Sequence, residues 1–505
     1  MSRIIFGSCS SQHYNDQPLW PVIQQRNASA FVWGGDAVYA DDRMEWNGLR
    51  RRRLDADPEY LRQLFREQQE YPGYKELLQS NISIFGTVDD HDYGRDNGDK
   101  TFPWRRENGI EFVRFLGLPE TSLMFQRATR GLGVYGVQVY DFNMPLGSQL
   151  LTDEEAGLDP TVTPDDLSFK MDDTRGLENK KVAVFVLDVR SNRSPWRKTI
   201  PERFQVDTGG DMLGEEQWKW FEVALGRSQA AVNVVVTGLQ VHAERFYDPN
   251  SVENWNGFPR AQHRLYQALL QPNVKAPILI SGDVHHAQLS RKDCQHAHNP
   301  HRFRPLYEVT TSGMTHAWGH KVCGRVKHNP FCHSTYLQAM FRSILHLAHW
   351  ISPWTELLVD KESKQLQYSL DLNIAELNFD WDHQTVITSI FGVEGRVLPQ
   401  QEWTFQELTE IQTTSVDSND FETRHEQLGV SGMLGSGDWV CVQHRGLPNR
   451  IHFAIGVGIP LVFALSLGTL PMWLSLFLCW KAIVLFKTRR RSQRPRTKSA
   501  KDKAS

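Results

Sequence analysis

Four short, mostly apolar runs within the first 285 residues each break off on glycine or aspartate. Ala30–Trp33 leads into Gly35-Asp36-Ala37-Val38-Tyr39, and Ile82–Val88 into Asp89-Asp90-His91-Asp92. Val182–Leu187 leads into Asp188-Val189-Arg190, and Pro277–Ile280 into Gly282-Asp283-Val284-His285. Runs of this length predict buried strands, with the acidic break at each tip. A fifth run, Ile4-Ile5-Phe6, ends at Gly7-Ser8-Cys9. Between them, Arg50–Gln69 reads as a helix, and a second helix starts at Gly214 with Glu215 and Glu216 in its first turn, where the helix dipole favours acids. Val232–Thr237 reads as a strand. Strands alternating with helices predict an α/β architecture.

Beyond residue 317 the pattern changes. Thr315–Trp354 is rich in histidine, and its apolar run Ile344–Ile351 reads as a buried helix, with a membrane-facing segment as the other reading. Glu376–Val397 reads as a closing pair of strands with a turn at Val393-Glu394-Gly395, and Glu402–Asp438 as a polar linker. Ile451–Trp480 contains no Lys, Arg, Asp or Glu, enough for at least one membrane crossing within 451–486. That stretch is either one helix or a hairpin turning at Gly468-Thr469-Leu470-Pro471. The expected organisation is a catalytic domain over 1–400 with its motifs within 1–317, a linker over 401–450, the membrane segment 451–486 and a basic tail over 487–505.

The formal net charge of −3 is unevenly spread, because Lys487–Ser505 carries nine Lys/Arg and one Asp. The rest of the chain is therefore acidic and does not suit nucleic acid. The tail is expected to stay cytosolic by the positive-inside rule. A single span then places the body in a lumen or outside, whereas a hairpin keeps body and tail together. Met1-Ser2-Arg3 runs straight into a strand too short for the core of a signal peptide, so this end is either cytosolic or downstream of a lost leader. Six cysteines without a CxxC pair are too few for a disulfide scaffold and leave the redox compartment open.

The strand tips hold the candidate chemistry. In Gly-Asp-x-x-Tyr, the Asp36 carboxylate suits a bridge between two cations, and the Tyr39 phenolate suits a ferric ion. Asp89, Asp90, His91 and Asp92 crowd four titratable groups into one loop, an arrangement that calls for a neutralising cation. Asp283 and His285, two residues apart, form a compact chelating pair if the backbone is extended. Cys9 reads as a thiolate ligand and Arg190 as a clamp on phosphate oxygens. Together these groups suit two metal ions and attack on a phosphate ester by an activated water. Gly131-x-Gly133-x-x-Gly136 is set aside as a dinucleotide fingerprint because an extended Val137–Tyr140 run follows it, not a helix. Cys323, His328, Cys332 and His333 fit no standard zinc module.

In order, Gly7-Ser8-Cys9-Ser10, Gly35-Asp36-x-x-Tyr39-x-Asp41, Asp89–Gly94, Leu187–Arg190, Leu213–Trp218, Gly238–Val241, Ser281–His285 and Thr311–His316 resemble the PhoD-like (alkaline phosphatase D) metallophosphatases. The resemblance runs from Phe6 to about His316 and suggests a membrane-anchored, eukaryote-type member. It implies a four-layer α-β-β-α metallophosphoesterase sandwich, here followed by a C-terminal transmembrane segment. It also implies hydrolysis of phosphate mono- or diesters by a metal-bound hydroxide, with two or more metal ions, iron plus calcium in bacterial relatives. By the same resemblance, Cys9, Asp36 and Tyr39 ligate the redox-capable ion. Asp36, Asp90 and Asp283 bridge or hold the second site, with His285 a further ligand. His91 acts near the leaving group and Arg190 on the phosphate. Asp89, Asp92, Asn97 and His242 are further candidates. The family usually shows Asn then Asp after Asp92-Tyr93-Gly94, where this chain has Asp96-Asn97. Expected partners are a phosphate-ester substrate and the bilayer through 451–486. The rival readings are a lipid- or glycolipid-directed phosphodiesterase and a catalytically silent phosphate-binding membrane adaptor.

Overall fold

Along the strand Lys181–Leu187 successive side chains enter two different cores: Val182, Val184 and Val186 one, Ala183, Phe185 and Leu187 the other. Only a strand buried on both faces has this split, and it accounts for the unbroken apolar run in the sequence. The computed structural model describes residues 2–14, 16–47, 50–144, 150–152, 179–199, 203–243, 253–297, 299–320, 357–360, 365–413 and 439–442, with isolated positions between 339 and 363 and between 474 and 481. Two units divide the chain, Met1–Gly446 and Leu447–Ser505, and the first carries everything below.

Two large sheets make a mixed α/β fold. The first has six strands, in the order Val397–Thr404, Thr385–Phe391, Ile374–Asp380, Arg3–Gly7, Ala30–Gly34 and Ser83–Thr87. The second has ten, with a parallel centre of Lys181–Leu187, Val232–Thr237, Pro277–Ser281 and Asn299–Thr310. Phe31 and Trp33 of the first sheet pack on Trp20, Tyr74 and Phe115 from helices. Phe185 of the second packs on Trp220 and Phe221 of the helix Glu215–Arg227.

The five predicted strand tips and the helix after Gly214 are present. The helix expected over Arg50–Gln69 is shorter. It spans Pro58–Glu70, because Asp57 caps it at Tyr60 N, while Arg50–Arg53 instead pairs with Met44–Asn47 as a separate hairpin. The closing pair of strands is three strands, the turn at Val393-Glu394-Gly395 joining the second to the third. The predicted linker is partly structured. Trp403 and Leu408 are buried, Gln412–Thr413 pairs with Asn299–Thr310, and Trp439–Val442 pairs with Ala287–His296. That last strand is also tied by a Cys294–Cys441 disulfide across 147 residues, a pairing the cysteine spacing did not suggest. Gly136 opens the strand Gly136–Asp141, so no helix follows the glycine triplet. Ile344–Ile351, Cys323, His328, Cys332, His333 and most of 451–486 lie outside the described residues, with Leu345 and His346 exceptions in the first run. Among the described residues no helix is long and apolar enough to cross a membrane.

Candidate metal centre

The strands Arg3–Gly7, Ala30–Gly34 and Ser83–Thr87 run parallel, as do the four central strands of the second sheet. Their carboxyl ends meet: Ser8 Oγ donates to Thr311 O at 2.8 Å, and Thr87 Oγ1 to Leu187 O at 2.9 Å. The loops leaving these ends carry the candidate residues, as expected of α/β sheets. Cys9, Asp36, Asn97, Asp283 and His285 all have φ between 53° and 68°. That is five of the nine non-glycine residues with positive φ among the described residues. Left-handed backbone is unfavourable for side chains with a Cβ, and its concentration here marks a place where the fold holds side chains at a required angle. Gly35 and Gly238 allow the loops to close, since a Cβ at either position would run into the Asp89 side chain.

Three donors converge around Asp36. The Cys9 thiol lies 3.5 Å from Asp36 Oδ2, the Tyr39 hydroxyl donates to the same oxygen at 3.2 Å, and His91 N donates to Oδ1 at 3.2 Å. Burial raises the pKa of the Cys9, Asp36 and Tyr39 side chains well above ordinary values; neighbouring negative charge adds to this, while at Asp36 the His91 charge opposes it. Only a cation makes a buried thiolate, phenolate and carboxylate compatible.

A second group lies beside the first. Ligand atoms of Asp36, Asp90 and His91 fall within 4.8 Å of one another, and so do those of Asp89, Asp90 and Asp283. Asp90 thus belongs to both groups. Burial raises the Asp89 carboxyl to about 7, with Arg190 opposing. Burial acts the same way on Asp90, but His91, Arg190 and the Asn97 N–H outweigh it and bring that carboxyl to about 2. Asp283 is raised well above the carboxylate range by burial, then by Asp89 and Asp90. For His91, burial opposes the charge, but Asp90, Asp41 and Asp36 prevail and hold the imidazole cationic. Its Nδ1 sits 2.7 Å from Asp41 Oδ1, and its ring stacks on Tyr39. Burial and then the His91 charge lower His285 to about 4, leaving a neutral ring suited to a metal.

Asp92 has a different task. Its Oδ2 accepts from Ala37 N at 2.9 Å and its Oδ1 from Asp89 N at 2.7 Å, joining the first two loops. Asn97 offers its backbone N–H to Asp90 Oδ2. His242 is not brought to the centre: its ring is buried between Tyr266 OH and Leu306 O, and burial lowers its pKa to about 3. Asp188 likewise accepts from the backbone of Val134, Arg190 and Ser191. Arg190 is fully buried. Its Nε and Nη2 both meet Asp89 Oδ1, at 2.6 and 2.5 Å, and its Nη1 meets Glu253.

Several residues that sequence reasoning did not assign complete the site. Ser312 Oγ lies 3.0 Å from the Cys9 sulfur and accepts from His285 N at 2.7 Å, and His316 packs against His285, Tyr39 and Tyr14. Both belong to the Thr311–His316 block, which was the available signal. Asp41, in the Tyr39-x-Asp41 motif, orients His91. Glu253 had no signal.

The residues fit metal ions. Asp89 Oδ2, Asp90 Oδ1 and His285 Nδ1 are buried and have no hydrogen-bond partner among the described residues. Leaving such an atom unsatisfied costs about 1–3 kcal/mol, more for a charged group, which cations in the two clusters would relieve.

The family model for PhoD-like phosphatase matches residues 4–329. Among solved structures, the chain is similar to PhoD, with 14% identity and a TM-score of 0.51, covering 85% of this chain and 78% of that one. It is also similar to GAP50, the anchor in the inner membrane complex of Plasmodium, with 12% identity and a TM-score of 0.39, covering 83% of this chain and 98% of that one. No curated protein matches the sequence.

Proposed function

This chain belongs to the PhoD-like phosphatase family and is a hydrolase of phosphoric esters, and we propose that it works through two or more metal ions held at the strand-end cluster. The observation that carries this reading is the convergence of Cys9, Asp36 and Tyr39 beside Asp89, Asp90 and Asp283, with buried ligand atoms left unpartnered. Cys9, Asp36 and Tyr39 would hold one ion, for which iron is our reading because a phenolate suits a ferric centre. Asp89, Asp90, Asp283 and His285 would hold the other, with calcium suited to its oxygen-rich part. Bound there, the cations supply a low pKa for water and neutralise charge developing on the phosphoryl oxygens. His91, its ring held by Asp41 at 2.7 Å, would hold a proton for the leaving-group oxygen. Arg190 fixes Asp89 and adds positive charge beneath the site, acting as a positioning residue.

The test is metal analysis of the purified full chain with hydrolysis of 4-nitrophenyl phosphate and bis(4-nitrophenyl) phosphate. Stoichiometric metal, and turnover that chelation removes and metal restores, is the expected result. A folded protein that takes up no metal and cleaves neither ester would instead make the chain a silent phosphate-binding adaptor.

We further propose that 451–486 anchors the chain in a bilayer with the catalytic body on an oxidising side. The Cys294–Cys441 disulfide supports this, since such bonds are rare in reducing compartments. Cells lysed with a thiol trap should yield protein whose Cys294 and Cys441 escape alkylation until reduced. Alkylation of both before reduction would place the body in a reducing compartment.

A further inference from the structure

Arg53 stands between the buried cluster and solvent. It ends the Arg50–Arg53 strand, in a two-stranded hairpin that pairs with neither large sheet among the described residues. Its Nη1 lies 3.3 Å from Asp41 Oδ2 and 2.8 Å from Asp96 Oδ1. The other oxygen of Asp41 holds His91, so the guanidinium is one residue removed from the group placed at the leaving-group oxygen. The burial gradient is steep. The Asp41 side chain is 3% exposed and that of His91 13%, whereas Arg53 is 46% and Asp96 45% exposed. Ligand atoms of Asp41, His91 and Asp96 fall within 4.8 Å of one another, which fixes Arg53 at the margin of the catalytic cluster. Four consecutive arginines here are conspicuous in a body that is otherwise acidic.

Neutralising Asp41 alone would not need an arginine open to solvent. Asp41 already has the His91 ring as a partner at 2.7 Å, and Asp96 is half exposed. The side chain is available to a ligand on its open side, with Asp96 as the competitor for that position. An anionic group on the leaving-group side of a bound ester would meet it there.

We propose that Arg53 is a specificity-determining residue, selecting phosphate esters that carry a second anionic group, a carboxylate or another phosphate, on the leaving group. Asp96 occupies Arg53 in the absence of such a substrate and gives way to it. This rests on the phosphoester-hydrolase reading above.

The test compares 4-nitrophenyl phosphate with its ring-carboxylated analogue on the metal-loaded full chain. For Arg53→Gln, the ratio of kcat/KM for the carboxylated ester to that for the parent should fall about fivefold, the size of a half-exposed ion pair, through KM. Arg53→Lys should restore part of the loss, and high salt should shrink the difference. Asp96→Asn should move the ratio the opposite way, because it removes the competitor. A purely structural Arg53–Asp96 pair would move both variants in the same direction or leave the ratio unchanged, and either result overturns the proposal. If wild type cleaves neither ester, the fault lies with the hydrolase reading; cleavage of both with an unchanged ratio refutes only the role of Arg53. Repeating the comparison with a second phosphate in place of the carboxylate, once on a soluble ester and once on a lipid in vesicles, distinguishes the source of the anion.

Discussion

Asp36→Asn is expected to lower turnover by about a thousandfold, corresponding to about 4 kcal/mol of lost transition-state stabilisation. The substitution preserves shape and removes charge. Asp36 Oδ2 is the acceptor shared by the Cys9 thiol and the Tyr39 hydroxyl, and Oδ1 receives the His91 N–H. An amide offers one oxygen where the carboxylate offers two, so it forfeits either the ligand position or the link to the His91 loop. Stopped-assay rates with matched metal analysis check this. A loss below about tenfold with metal retained would remove Asp36 from the centre.

The same variant has a pH signature. Burial raises the Asp89 and Asp92 carboxyls from 3.8 to about 7 and about 8, and it also drives Asp36 up. A carboxyl raised on folding contributes stability that is fully present below its unfolded pKa and is lost as pH rises through the folded one. Metal-free protein should therefore lose stability from these groups between about pH 4 and pH 8, against the usual acid-unfolding trend. Metal binding displaces the protons, so the gap in Tm between loaded and metal-free protein should widen with pH. In Asp36→Asn that widening should be smaller. A gap independent of pH in wild type would show that Asp36 and Asp89 do not ligate.

Arg190→Leu is expected to destabilise the metal-free protein by about 3–5 kcal/mol, the cost of breaking a buried ion pair from one side. The guanidinium, fully buried, neutralises Asp89 on one side and Glu253 on the other. Leucine leaves both carboxylates with less positive charge, although Arg193 remains 3.2 Å from Glu253. Urea unfolding measures the loss. It should be smaller in the metal-loaded protein, where a cation supplies part of the missing charge beside Asp89. A shift below about 1 kcal/mol in the metal-free protein would mean that Arg190 is not the main counterion there, and would return it to the substrate-facing role suggested by its motif.

How far the chain could be read depended on whether the relevant neighbours are local. The strands before Asp36, Asp89, Asp188 and Asp283 were legible because burial on both faces requires an unbroken apolar run, and a run must end where the backbone turns. The hairpin Met44–Arg53 was not, because four arginines carry no period-two pattern and their extended form comes from pairing with Met44–Asn47. His242 and Asp188 illustrate the same limit at side-chain level. Both lie in or next to a matching motif, yet Tyr266 and Leu306 hold one, and the backbone N–H groups of Val134, Arg190 and Ser191 hold the other.

By itself the sequence determined the α/β class, the strand tips that bear the chemistry, and the acid, thiol, phenol and imidazole groups available to metals. All of these depend on residue type and on spacing within a few positions. Only the tertiary structure decided which of those groups cluster, that Asp90 belongs to two clusters, that Asp92 joins loops, and that Arg190 is consumed by Asp89 and by Glu253, 63 residues away. It also decided the partner of Cys294, 147 residues distant. Charge pairing and burial act through distance in space, and no periodicity along a chain records which remote loops the sheets bring to the same end.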